Sequence, residues 1–215
     1  MGRAIAGLGA PGFLTDRKNV FIGFVAEVFA ANPSQVEGWR QIASRQPQDV
    51  QDVVKAALDL DGPVEVFARK YESVAQNDRC WGAFFASGNP DHLRRLAARM
   101  HLIGEADGAK FWIGATAMWS LARNVSEHPA VRITLAAYRP DADGITRGLI
   151  DRVLDGKPEE TRTWLTGLWK ARTTPADKPG QILVNGVPGG GERSFQSSET
   201  APSPSQMGPA FGPKP

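Results

Sequence analysis

The sequence predicts an all-α protein: a compact bundle of about eight to ten short helices followed by a disordered Pro/Gly/Ser-rich C-terminal tail. Three observations carry that expectation. From Val20 to Leu168 the apolar residues recur at three- and four-residue intervals, which places them on one face of a helix. Period-two alternation, the mark of a half-buried strand, is nearly absent. At Thr173 a tryptophan-rich body gives way to a segment holding half of the 16 prolines, 7 of the 23 glycines and none of the 6 tryptophans. Such a mixture buries too little apolar surface to offset its ordering entropy. Residues 1–14 are expected as a flexible N-terminal segment, 15–172 as a helical domain, and 173–215 as a low-complexity tail, disordered or ordered only on a partner.

The elements follow in order. Thr15 is placed to cap a first helix with the stripe Val20, Phe21, Phe24, Val25, Val28 and Phe29, which Asn32-Pro33 ends. Ser34 and Glu37 have capping-box spacing and open a second, carrying Val36, Trp39 and Ile42. Val50, Val53, Val54, Ala57 and Leu58 form the cleanest amphipathic pattern, stopped by Asp61-Gly62. Pro63 suits the first position of another helix, with Val64, Phe67, Tyr71 and Val74 turned inward. A short segment around Cys80 to Phe85 follows. Ser87-Gly88-Asn89-Pro90 then combines a stop with the cap of a helix bearing Leu93, Leu96, Met100 and Ile103.

Phe111 to Val125 is apolar on nearly every side, the pattern of a central helix. Trp112, Met118 and Trp119 are expected to be heavily buried there, with Gly114 admitting a close neighbour. Helices over Pro129 to Tyr138, Gly144 to Leu154 and Pro158 to Arg172 complete the body. In the last, Glu159 and Glu160 in the first turn and Lys170 and Arg172 in the final turn complement the helix dipole. No internal repeat is present, which argues against a solenoid.

Composition narrows the function classes. The net charge is +2, from 25 basic and 23 acidic residues, without the basic surplus of a protein that grips nucleic acid by its phosphates. A single cysteine, Cys80, allows no internal disulfide, and a cytoplasmic location is expected. Val20 to Ala31 follows Arg17 and Lys18 like an export signal, yet it carries Glu27 and reads as an amphipathic helix. Phe111 to Ala122 is too short to span a bilayer. His92, His101 and His128 lack metal-ligand spacing, so neither a metal nor a cofactor is expected. Asp141-Ala-Asp143-Gly144 fails as a calcium loop because Arg152 stands where a bidentate Glu is required.

Three function classes remain. The first is a non-catalytic interaction or structural component of a larger assembly, with a protein partner or a second copy of the chain. Its docking residues would be Ile182, Leu183 and Val184 in the tail, with Phe195 and Phe211 as spaced anchors. The second is a thiol-dependent enzyme. Cys80-Trp81 resembles the dipeptide with which transglutaminase-like enzymes and thiol hydrolases present their nucleophile. The resemblance is confined to those two residues, and it implies His128 as base and Asp141 or Asp143 as orienting acid. The third is a weak nucleic-acid or acidic-partner binder using Arg94, Arg95 and Arg99 beside His92. A solvated helix face is the plainer account of those residues.

Overall fold

A computed structural model describes residues 5, 7–10, 12–60 and 73–174. Among them all regular secondary structure is helical, with no strand. The contacts group into two compact units that divide between Arg99 and Met100. The sequence predicts a single body because no Pro/Gly-rich linker marks that position; the division falls inside a 3₁₀ turn, Arg99–Gly104.

In the first unit, α1 (Lys18–Ala31) packs against α4 (Val74–Ser87) and α3 (Gln48–Leu58). Its contact with α4 is a backbone-on-backbone crossing built on two glycines. A Cβ added at Gly23 of α1 would lie 2.0 Å from the carbonyl oxygen of Arg79, and one added at Gly82 of α4 would lie 1.8 Å from that of Val20. Only glycine permits this approach from both sides. On the α3 side, Ile22, Val25 and Phe29 meet Val50, Val53, Val54 and Ala57 in a buried apolar cluster. Ile5, Leu8 and Leu14 join that cluster, so the segment expected to be flexible contributes core residues. The three glycines among them disguised the apolar spacing.

Several local expectations change here. Helix α1 starts after Arg17, with no side-chain cap from Thr15. A 3₁₀ turn, Pro33–Gln35, precedes α2 (Val36–Ala43), and the Ser34/Glu37 box does not form. The segment around Cys80 is a full helix of 14 residues, because Gly82 serves a close crossing and does not break the helix. Helix α4 ends at Gly88 with φ 68°, and Asn89 accepts the Asp91 N–H to cap α5 (Pro90–Ala98), as the sequence predicts. Of the expected helix from Pro63, residues 63–72 lie outside the described residues, while Val74, expected to turn inward, is exposed as the first residue of α4.

In the second unit, α6 (Gly108–Glu127) packs against α7 (Pro129–Tyr138), α8 (Gly144–Asp155) and α9 (Pro158–Thr173). Its central place agrees with its all-round apolar pattern. A Cβ at Gly114 would lie 2.6 Å from the Ile103 nitrogen, so the 3₁₀ turn is seated directly on this helix. Met118 is fully buried, whereas Trp112 and Trp119 are only half-buried. Trp112 packs with Trp169 and Phe111, and Trp119 lies under the Arg123 guanidinium. A helix apolar all round gives no phase from which to tell a core ring from a rim ring.

Arg172 locks the end of α9, stacking over Phe111 at 4.8 Å and donating to the carbonyls of Ile103 and Glu105. No described helix is long and apolar enough to cross a membrane.

Candidate functional site

Two features of the described residues have the character of a binding site. The first is a cavity of about 310 Å³ in the first unit. Phe29, Ala57 and Ala83 form its buried apolar wall, and Ala30 and Pro33 lie exposed at its rim. Its polar residues are Glu27 from α1, Cys80 from α4, and His92 and Arg95 from α5. They converge because α1, α4 and α5 pack in succession, α1 on α4 and α4 on α5.

His92 is 5% exposed, and its Nε2 lies 3.0 Å from Glu27 Oε1. The contact is close but poorly aligned for a hydrogen bond, so Glu27 holds the imidazole only weakly. Burial holds the His92 pKa below its ordinary value; Glu27 opposes this and Arg95 adds to it. A more open trough between α2 and α3 is lined by Glu37, Arg40, Gln51 and Lys55 over buried Ala43 and Val54, with no buried polar side chain among its lining residues.

The second feature is the outer face of α7 in the second unit. Val131 and Leu135 point into the core, while Pro129, Ala130, Ile133, Ala136 and Ala137 are exposed. At 100° per residue these five fill one continuous arc of about 120° with no charged member. Ile133 at its centre is 68% exposed. Arg132 and Arg139 flank the arc on one side and are held by α8: Arg132 donates to the Leu154 carbonyl, and Arg139 pairs with Asp151.

The candidate residues named from the sequence have these places. Cys80 is 2% exposed; burial pushes its thiol pKa up, against the pull of Arg99 and Arg95. Arg99 reaches the thiol from 19 residues away and also donates to Asn77, a neighbour that inspection of the sequence around Cys80 does not reveal. His128 belongs to the second unit, at the junction of α6 and α7. Asp143 caps α8, accepting the Ile145 and Thr146 N–H groups and the Thr146 hydroxyl, which together lower its pKa. Asp141 ends a 3₁₀ turn.

Of the three arginines, only Arg94 is exposed, paired with Asp91 at 3.1 Å; Arg95 lines the cavity and Arg99 is turned inward. Because α5 packs on α4 through this side, His92, Arg95 and Arg99 do not share one solvated face. Ile182, Leu183, Val184, Phe195 and Phe211 lie outside the described residues. Among the described residues no group of three His, Cys, Asp or Glu side chains is arranged to hold a metal ion.

Comparison with known proteins returns no matching family model, no similar curated protein and no similar solved structure.

Proposed function

We propose that this protein is a non-catalytic interaction or structural component of a larger protein assembly, and that the outer face of α7 is its contact surface. The supporting observation is the exposure of Ile133 at the centre of a charge-free arc. Isolated surface hydrophobes are ordinary, but a contiguous apolar helix face left in water is a mark of interaction sites. Ala130, Ala136 and Ala137 keep the face low, so a partner helix can lie along it with Ile133 as the anchor. The arginines on its flank are already engaged by α8, which fixes the outline of the patch. The partner in this reading is another protein or a second copy of the chain, in the cytoplasm, and Ile182, Leu183 and Val184 supply a second contact.

The thiol-enzyme reading has less support. A nucleophilic cysteine needs its thiolate, and burial acts on Cys80 in the opposite direction. Asp143 is occupied in capping a helix.

Photo-crosslinking in the native host tests the proposal. Benzoylphenylalanine at position 133 should give a discrete crosslinked species, identified by mass, whereas the same group at position 163, on the exposed polar side of α9, should not. Ile133→Asp should abolish the association of the full chain measured by sedimentation velocity while leaving its circular dichroism intact. Equal crosslinking from both positions, or assembly indifferent to Ile133→Asp, would remove α7 as the contact.

A further inference from the structure

We infer that the cavity of the first unit is a binding site for a small neutral molecule, of the size of one substituted ring or a short branched chain, whose single polar head lies beside the Glu27–His92 contact, donating a hydrogen bond to Glu27 and accepting one from His92. The size follows from the volume. A dry apolar cavity of about 150 Å³ accommodates benzene, and this one is about 310 Å³. The apolar body of the ligand lies against Phe29, Ala57 and Ala83, where removal of its surface from water drives binding.

The head group follows from the polar lining. Glu27 is an acceptor with lone pairs to spare, and buried His92 Nε2 meets its Oε1 at 3.0 Å in a poorly aligned contact that a better-placed partner can improve. A hydroxyl placed beside them gives its proton to the carboxylate and meets the imidazole with its oxygen, satisfying both groups at once. Charge disfavours the ionic alternatives. The lining carries one carboxylate and one guanidinium, Glu27 and Arg95, so it offers neither an anion nor a cation a net opposite charge to offset the cost of desolvating it. A neutral alcohol or phenol encounters neither penalty. Buried Cys80 belongs to the lining, and the inferred binding forms no covalent bond with it.

Four probes of nearly the same shape test the inference on the full chain: 4-methylphenol, 4-methylbenzoate, 4-methylbenzylamine and toluene, titrated by calorimetry and by thermal shift. The expected result is saturable binding of 4-methylphenol, with each of the other three weaker by at least about tenfold. Glu27→Gln should weaken 4-methylphenol while toluene binding is retained. Ala30→Trp, at the exposed rim where it need not disturb the core, should block all four. Absence of saturable binding of 4-methylphenol, tighter binding of either charged probe, or binding that survives Ala30→Trp overturns the inference.

Discussion

Asp78 is the residue at which burial works most plainly against charge. On α4 its carboxyl pKa is pushed from 3.8 up to about 6 by desolvation, with Arg79 pulling it back. The folded state therefore holds the proton more tightly than the unfolded chain. The associated stability is complete below the unfolded pKa and is lost as pH rises through about 4 to 6. His92 has the opposite sign. Its folded pKa lies below 6.5, so its contribution is present above that value and is lost as pH falls beneath it.

Asp78→Asn should accordingly raise Tm relative to the parent at roughly pH 8 and show little or no advantage at roughly pH 4. Thermal melts of both proteins at the two pH values check this; an advantage that fails to shrink on acidification would mean the carboxyl is not protonated by burial. None of this was legible from the sequence, where Asp78 stands in a polar run beside Asn77 and Arg79 with nothing to show that α4 half-buries it.

At the scale of the element, helix positions were far more legible than the contacts between helices. Pro129 to Tyr138 is recovered to the residue, and α8 and α9 to within one residue at their ends, because Pro, Asp-Gly and charged first and last turns punctuate the chain there. The role of Gly82 was not legible. A glycine within an apolar run signals weakness unless one knows which backbone lies across from it, and that backbone belongs to a helix far away in the chain.

The sign of a substitution separates the two meanings. At Gly38 on α2, where an added Cβ meets nothing within 4 Å, alanine should stabilise the protein by up to about 1 kcal/mol through helix propensity. Gly82→Ala drives a methyl group into the Val20 carbonyl and should destabilise by about 1 to 3 kcal/mol or more, despite the same gain in propensity. Urea unfolding of the two variants decides the matter, and a stabilising Gly82→Ala would show that the helices are not in backbone contact.

For the whole molecule, the fold class was readable from periodicity alone, whereas the division between Arg99 and Met100 was not. Linkers announce themselves by composition, and this division falls in a turn whose Met100, Leu102 and Ile103 are all buried. The candidate site suffered similarly. Glu27 looked like a charge on an amphipathic helix, His92 like part of a basic face, and only the packing of α1 on α4 and of α4 on α5 brings them to 3.0 Å. The end of the body is clearer. The groups that anchor α9, Leu165, Trp169 and Arg172, all precede residue 175. Truncation after Thr174 should therefore leave Tm nearly unchanged. A fall of several degrees in a calorimetric scan would show that residues beyond 174 contribute to the folded core.

The paired glycines of α1 and α4 also bear on how the sequence is free to drift. Either one replaced by alanine forces the two backbones apart, and the separation that admits the first methyl group makes room for the second. The cost of the double substitution Gly23→Ala with Gly82→Ala should then fall short of the sum of the singles. A lineage that has lost one of these glycines is released from keeping the other, so the seam is retained or abandoned as a pair.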